Sequence, residues 1–386
     1  MSKLAVARCT HVANPVTQWG YETPSRARPC RLVGVASAEQ TSSFVRTAPA
    51  VHEVFSSFAT GTSTSTRKPS TTTKSKGKET TSSTLSISLP PPTSTSTSPT
   101  DVNGLLKALF PVSEPSSSWT TVEGAPGALP LSDATLDPVK VVKGVTHNYV
   151  ESPGPNPKLS MQAHYPQGSW TFSNSPRGGF SLYSLGPSAV NLTQAKEATF
   201  GYSVMFPAGF EYNMGGKMPG LFGGDSFEVA ATCSGGSRSD ACFSARLMWR
   251  TNGAGELYTY LPPYTDPRFT ANEAQCNVPP VSECNPTYGA SVGRASFYFT
   301  SGAWTTVSQR VRLNDVGQAN GELELFVNGQ SVVNVGGLIL RARDAGRIQG
   351  MQLQTFFGGH TKPYASPKDQ DVYFSDFSVA ITETFN

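Results

Sequence analysis

Beyond residue 119 the chain runs in short stretches of alternating apolar and polar residues separated by Gly, Pro and Asn. A period of two places successive side chains on opposite faces of a strand. It predicts strands at 198–206, 243–250, 256–261, 295–300, 304–313, 322–327, 331–335, 348–356 and 372–381. So many strands, with hardly any helical periodicity, define an all-β fold of two antiparallel sheets. The strongest local signal is Asn328-Gly329 between two alternating runs, the preferred two-residue hairpin turn. Following the strand at 304–313, this hairpin fits a lectin-like β-jelly roll.

The segment Phe243–Leu261 carries the chemistry. Phe243, Ala245, Leu247 and Trp249 share one face with Leu257, Thr259 and Leu261, and that face goes to the core. The other face collects Ser244, Arg246, Met248, Arg250, Glu256, Tyr258 and Tyr260. A turn centred on Gly253 would set Arg246 across from Tyr260 and Met248 from Tyr258.

Composition divides the chain. With 37% hydrophobic and 15% charged residues, 386 residues are too dilute in apolar groups to be folded throughout. Three segments are expected: a poorly structured 1–55, a Ser/Thr/Pro-rich disordered stalk or linker at 56–118, and a folded domain at 119–386. The stalk has too little apolar surface to offset the entropy of ordering it, whether or not it carries O-linked sugars. The first 118 residues hold 12 Lys/Arg against 6 Asp/Glu and the rest 18 against 21, so the folded part lacks the basic excess of a nucleic-acid protein. No apolar run reaches the ~18–20 residues of a membrane span.

Cys233 and Cys242 flank a Gly/Ser loop, and Cys276 and Cys284 a Pro-rich one. Two short-range disulfides are easy to draw and suit an oxidising compartment; four reduced loop cysteines are the alternative. No ligand-spaced His/Cys cluster is present, so neither metal nor cofactor is expected. The N-terminus, Met1-Ser2-Lys3-Leu4-Ala5-Val6-Ala7-Arg8, is not a good signal peptide. The remainder nevertheless reads as a secreted monomer, and Asn191-Leu192-Thr193 is a glycosylation sequon if so.

The stretch Met214–Gly224, with five Gly, one Pro and Lys217, reads as a tightly turned loop displaying a cation. Together, Lys217, Arg246, Ser244, Tyr258 and Tyr260 suit β-elimination from a uronate. The proton removed is α to a carboxylate, so cations must neutralise that group, and a Tyr can shuttle protons if cations lower its pKa from ~10. Activity is then expected to peak at alkaline pH. Hydrolysis would need two facing carboxyl groups, and Asp225 and Glu228 are expected on opposite faces of a strand.

These residues resemble polysaccharide lyase family 14. The likeness is carried by Gly215-Gly216-Lys217-Met218-Pro219-Gly220-Leu221-Phe222, by Phe243-Ser244-Ala245-Arg246-Leu247-Met248-Trp249-Arg250, and by Glu256-Leu257-Tyr258-Thr259-Tyr260-Leu261-Pro262. Tyr165-Pro166-Gln167-Gly168-Ser169 and the segments 355–359, 366–370 and 373–377 continue it, so that it spans roughly 147–384. The resemblance implies a metal-free β-jelly-roll endolyase acting on an acidic polysaccharide such as alginate or glucuronan. It carries over Lys217, Ser244, Arg246, Tyr258 and Tyr260 as catalytic positions. The expected roles are Arg246 and Lys217 on the carboxylate, Tyr258 and Tyr260 on protons and Ser244 on the sugar, with Lys217 as base the runner-up. Departures from the family pattern are the loop 233–242, the Pro-rich insert 266–286 and His360.

Among other residues, His360 could touch sugar, though a loop His beside Gly more often faces solvent, and Lys368 could line the cleft, though a charge at a turn before a strand is commonplace; Trp249 is expected to pack in the core. The competing functions are a non-catalytic carbohydrate-binding module and a jelly-roll glycoside hydrolase.

Overall fold

The computed structural model describes residues 101–112 and 115–385. The expectations for 1–55 and for the stalk as far as residue 100 lie outside the described residues.

Sixteen strands occur among the described residues. In chain order these are β1 (Ser117–Thr120), β2 (Pro138–Val139), β3 (Tyr149–Glu151), β4 (Leu159–Tyr165), β5 (Phe180–Ser184), β6 (Ala195–Phe206), β7 (Gly215–Gly224) and β8 (Cys242–Arg250). Then follow β9 (Ala254–Tyr260), β10 (Val281–Glu283), β11 (Ala290–Tyr298), β12 (Ala303–Arg312), β13 (Gly321–Val327), β14 (Gln330–Leu338), β15 (Arg347–Phe357) and β16 (Gln370–Thr384). One sheet has the order β14-β13-β12-β6-β16-β4-β3, with β1 added on β16; the other runs β10-β11-β9-β8-β7-β15-β5-β2. The inner faces of both supply one shared core, in which Phe200, Leu325 and Phe374 of the first meet Leu221, Leu247 and Leu353 of the second. The fold is the expected β-jelly roll.

Each of the nine predicted strands overlaps an observed one; eight agree within three residues at either end, while 295–300 starts five residues into β11 and runs two past it. Asn328 and Gly329 both have positive φ, as the tight hairpin between β13 and β14 requires. Both disulfides, Cys233–Cys242 and Cys276–Cys284, are formed.

Two features differ from the sequence reading. A helix at Val102–Leu109, capped by the Asp101 carboxylate accepting the Gly104 N–H at 2.8 Å, lies within the stretch assigned to the stalk. It buries Leu105, Ala108 and Leu109, and the Leu109 carbonyl accepts a bond from Ser308 Oγ of β12. The second difference bears on function: the Gly-rich segment is the central strand β7, not a turned loop. Its glycines make room for neighbours. A Cβ at Gly216 would come within 2.1 Å of the Trp249 ring, and one at Gly220 within 2.0 Å of the Ala245 carbonyl oxygen. Composition alone reads such a run as a turn, but here the missing side chains let a crowded sheet close over a tryptophan.

Candidate active site

The β7, β8 and β9 strands are hydrogen-bonded neighbours, so their outward residues form one surface. The faces are as alternation predicts: Phe243, Ala245, Leu247 and Trp249 enter the core, while Met248, Tyr258 and Tyr260 cluster on the other side. The register differs by two residues. Ser244 pairs with Tyr260, Arg246 with Tyr258 and Met248 with Glu256, because the turn is a 3-10 segment at Thr251–Gly253 in which Asn252 takes positive φ. A shift of two keeps every side chain on its face, so the surface survives the correction.

This surface floors a cavity of about 600 Å³ whose lining includes Lys217, Arg246, Arg250, Tyr258 and Tyr260. Lys217 reaches over the floor from β7. Its Nζ lies 3.7 Å from the centre of the Tyr258 ring and donates to Met248 Sδ at 2.8 Å. Burial pushes the Lys217 ammonium well below its ordinary pKa; Arg250 and Arg246 add to the effect and Glu256 opposes it. Tyr258, 7% exposed, is shifted the other way: burial and the neighbouring Tyr260 raise its pKa more than Arg250 and Arg246 lower it.

Arg246 is 2% exposed and donates from Nη1 to Gln354 Oε1 at 3.0 Å, while its Nε has no hydrogen-bond partner among the described residues. A guanidinium so deeply buried normally has a carboxylate beside it. Glu256, a fully buried carboxylate on the neighbouring strand β9, is already taken by Arg250 at 2.6 Å and Arg294 at 3.0 Å. Arg246 is thus a buried cation with donor capacity to spare, facing an open cavity.

Ser244 is not brought to the cavity. It is fully buried, and its Oγ donates to the Cys233 carbonyl at 2.8 Å, so the expectation that it orients sugar is replaced by a structural one. It ties down the disulfide-closed loop 233–242, whose Gly236 N–H donates to the Tyr260 hydroxyl at 3.1 Å. His360 is exposed, as the favoured reading expects, and also lines the cavity, where it stacks on Tyr288 with ring centres 5.2 Å apart. Lys368 lies elsewhere, bonded to the Gly209 carbonyl and Glu211. Trp249 is in the core, its Nε1 donating to the Tyr212 carbonyl.

Among the described residues, no pair of carboxylates lines the cavity as hydrolysis would require. Glu228 sits on the helical turn Phe227–Ala230 rather than on a strand, and Asp225 is paired with Arg343 at 2.6 Å. Among the described residues, Glu283 is the one acidic residue in the lining, and it pairs with Arg294.

Sequence reasoning missed Gln354, Tyr288 and the Arg250–Glu256 pair as parts of the site. The alternating glutamines Gln352 and Gln354 on β15, polar in a buried strand, were a usable signal for the first. Nothing local marked Tyr288.

The sequence pattern of Polysaccharide lyase 14 matches residues 155–377. The crystal structure of the marine PL-14 alginate lyase from Aplysia kurodai is 35% identical, covering 57% of this chain and 82% of its own, with a TM-score of 0.50. The alginate lyase vAL-1 from Chlorella virus is 24% identical, covering 64% of this chain and 93% of its own, with a TM-score of 0.51; at that identity the likeness speaks for the fold alone. No curated protein matches the chain. With the matched pattern running through every strand that floors the cavity, the chain belongs to polysaccharide lyase family 14.

Proposed function

We propose that this lyase cleaves a uronate-containing polysaccharide of the alginate or glucuronan type by β-elimination, leaving a C4–C5 double bond on the new non-reducing end. The observation that carries the reading is the pairing, in one cavity, of a buried guanidinium with unused donors and an amine whose charge is disfavoured. Arg246 takes the substrate carboxylate and stabilises the negative charge that develops on it as the C5 proton leaves. Lys217, in its neutral form, accepts that proton. The C5–H electrons form the C4–C5 double bond, the C4–O bond breaks, and the leaving oxygen takes a proton from the Tyr258 phenol, backed by Tyr260. Proton exchange with water then resets both groups.

This assignment favours the runner-up of the sequence reading. A phenolate base needs a lowered tyrosine pKa, whereas the surroundings of Tyr258 raise it and those of Lys217 release a free amine. The two disulfides suit a secreted enzyme.

The test is incubation of the full chain with alginate, polyguluronate, polymannuronate and glucuronan, following ultraviolet absorbance from the new double bond. Growth of absorbance is expected on at least one polymer. Reducing ends without absorbance would make the protein a hydrolase, and retention on the polymer without either would make it a binding module.

A further inference from the structure

Two loops that leave different strands of one sheet meet in space. Tyr288 follows the Pro-rich insert and precedes β11; His360 follows β15. Their rings are 5.2 Å apart and within 10° of parallel. In the sheet, β9, β8 and β7 separate β11 from β15. Four interstrand steps of about 4.8 Å amount to about 19 Å, so the stack is made by two loops reaching toward each other across the strands that carry Tyr258, Arg246 and Lys217. Both rings line the same cavity as those residues.

The Tyr288 side is braced. Asn285 Oδ1 accepts the Thr287 and Tyr288 N–H groups at 2.8 and 2.9 Å, and Arg238 donates to the Asn285 carbonyl at 2.6 Å. The Cys276–Cys284 disulfide closes the loop at its base. Gly289 lies flat on the phenols: a Cβ there would come within 2.6 Å of the Tyr258 ring and 2.8 Å of the Tyr260 ring. The His360 side is exposed, with Tyr364 its other aromatic neighbour at 6.2 Å.

We infer that Tyr288 and His360 form an aromatic clasp across the substrate groove, which retains the polymer between successive cuts. The inference rests on the lyase reading of this site. An aromatic pair of this kind favours the closed form by a factor of about 2–10, weak enough to open for loading and strong enough to slow escape severalfold. A retained chain is cut repeatedly near one place, so double bonds accumulate faster than viscosity falls.

The experiment follows absorbance and viscosity together in one reaction, using the full chain on a polymer that it cleaves, for the wild type, Tyr288→Ala, His360→Ala and Tyr288→Phe. The expected result is that viscosity loss per double bond rises about threefold to tenfold in both alanine variants. Tyr288→Phe keeps the ring and is expected to keep the wild-type ratio. An unchanged ratio in the alanine variants, or a Tyr288→Phe ratio shifted as far as Tyr288→Ala, overturns the clasp alone. Absence of absorbance from the wild type on every polymer removes the lyase reading, and the clasp with it.

Discussion

Lys217 Nζ sits 3.7 Å above the centre of the Tyr258 ring, so the base and the acid of the proposed elimination are stacked on each other. The contact is favourable only to the ammonium form, through the ring quadrupole. Burial and two neighbouring guanidinium groups act in the opposite direction and hold the ammonium well below its ordinary pKa. The pair is held in a state where the nitrogen gives up its proton readily and the phenol keeps its own.

From this comes a prediction for Lys217. Replacement by Met or Arg is expected to lower kcat by about 10²–10⁴, the usual contribution of a positioned base. Arg fails as well because a guanidinium does not deprotonate in this range. Retention of more than a tenth of wild-type kcat in either variant, measured by double-bond absorbance, would move the base to a tyrosine.

The pH dependence has a definite sign. Activity is expected to rise with pH as Lys217 loses its proton, with the limb below the ordinary lysine value of 10.5, and no falling limb from Tyr258 at moderately alkaline pH because that phenol is raised. Stability carries the same signature. The unfolded chain keeps the Lys217 proton up to about pH 10 while the folded site releases it earlier, so between those points stability rises with pH. Lys217→Met is therefore expected to melt higher than the wild type, by a margin that is largest below the folded pKa and shrinks toward pH 10. Melting curves across pH check this; a margin that widens with pH refutes it.

Arg246→Lys tests the carboxylate grip. An ammonium cannot reproduce the fork that Arg246 extends past Gln354, and kcat/KM is expected to fall about 10²-fold or more. A loss under fivefold would place the carboxylate on another cation, of which Arg250 and Arg294 line the same cavity.

Ser244→Ala separates a structural role from a catalytic one. Loss of its bond to the Cys233 carbonyl is expected to cost about 1–2 kcal/mol of stability and to lower activity only severalfold, through the loop that holds Tyr260. A hundredfold loss of activity with an unchanged melting temperature would show that Ser244 touches sugar.

The alternation of Phe243, Ala245, Leu247 and Trp249 assigned each residue to its face without knowledge of any partner strand, because pleating fixes that assignment locally. For the same reason Asn328-Gly329 marked its hairpin, and cysteines eight or nine residues apart closed on each other. The pairing of Arg246 with Tyr258 was not legible, since a 3-10 turn at Asn252 moved the register by an even number that leaves the pattern intact. Nor was the strand nature of Gly215–Gly224, which depends on how closely Trp249 and Ala245 approach it.

Local sequence thus determined which side chains could share a surface, because face and turn are decided within a few residues of chain. Tertiary structure decided what that surface does. Desolvation of Lys217 beside two guanidinium groups, the lack of an ion pair at Arg246 among the described residues, withdrawal of Ser244 under a disulfide loop and the meeting of Tyr288 with His360 all arise between residues far apart in the chain. Desolvation and charge act through space, and no spacing along the sequence encodes them.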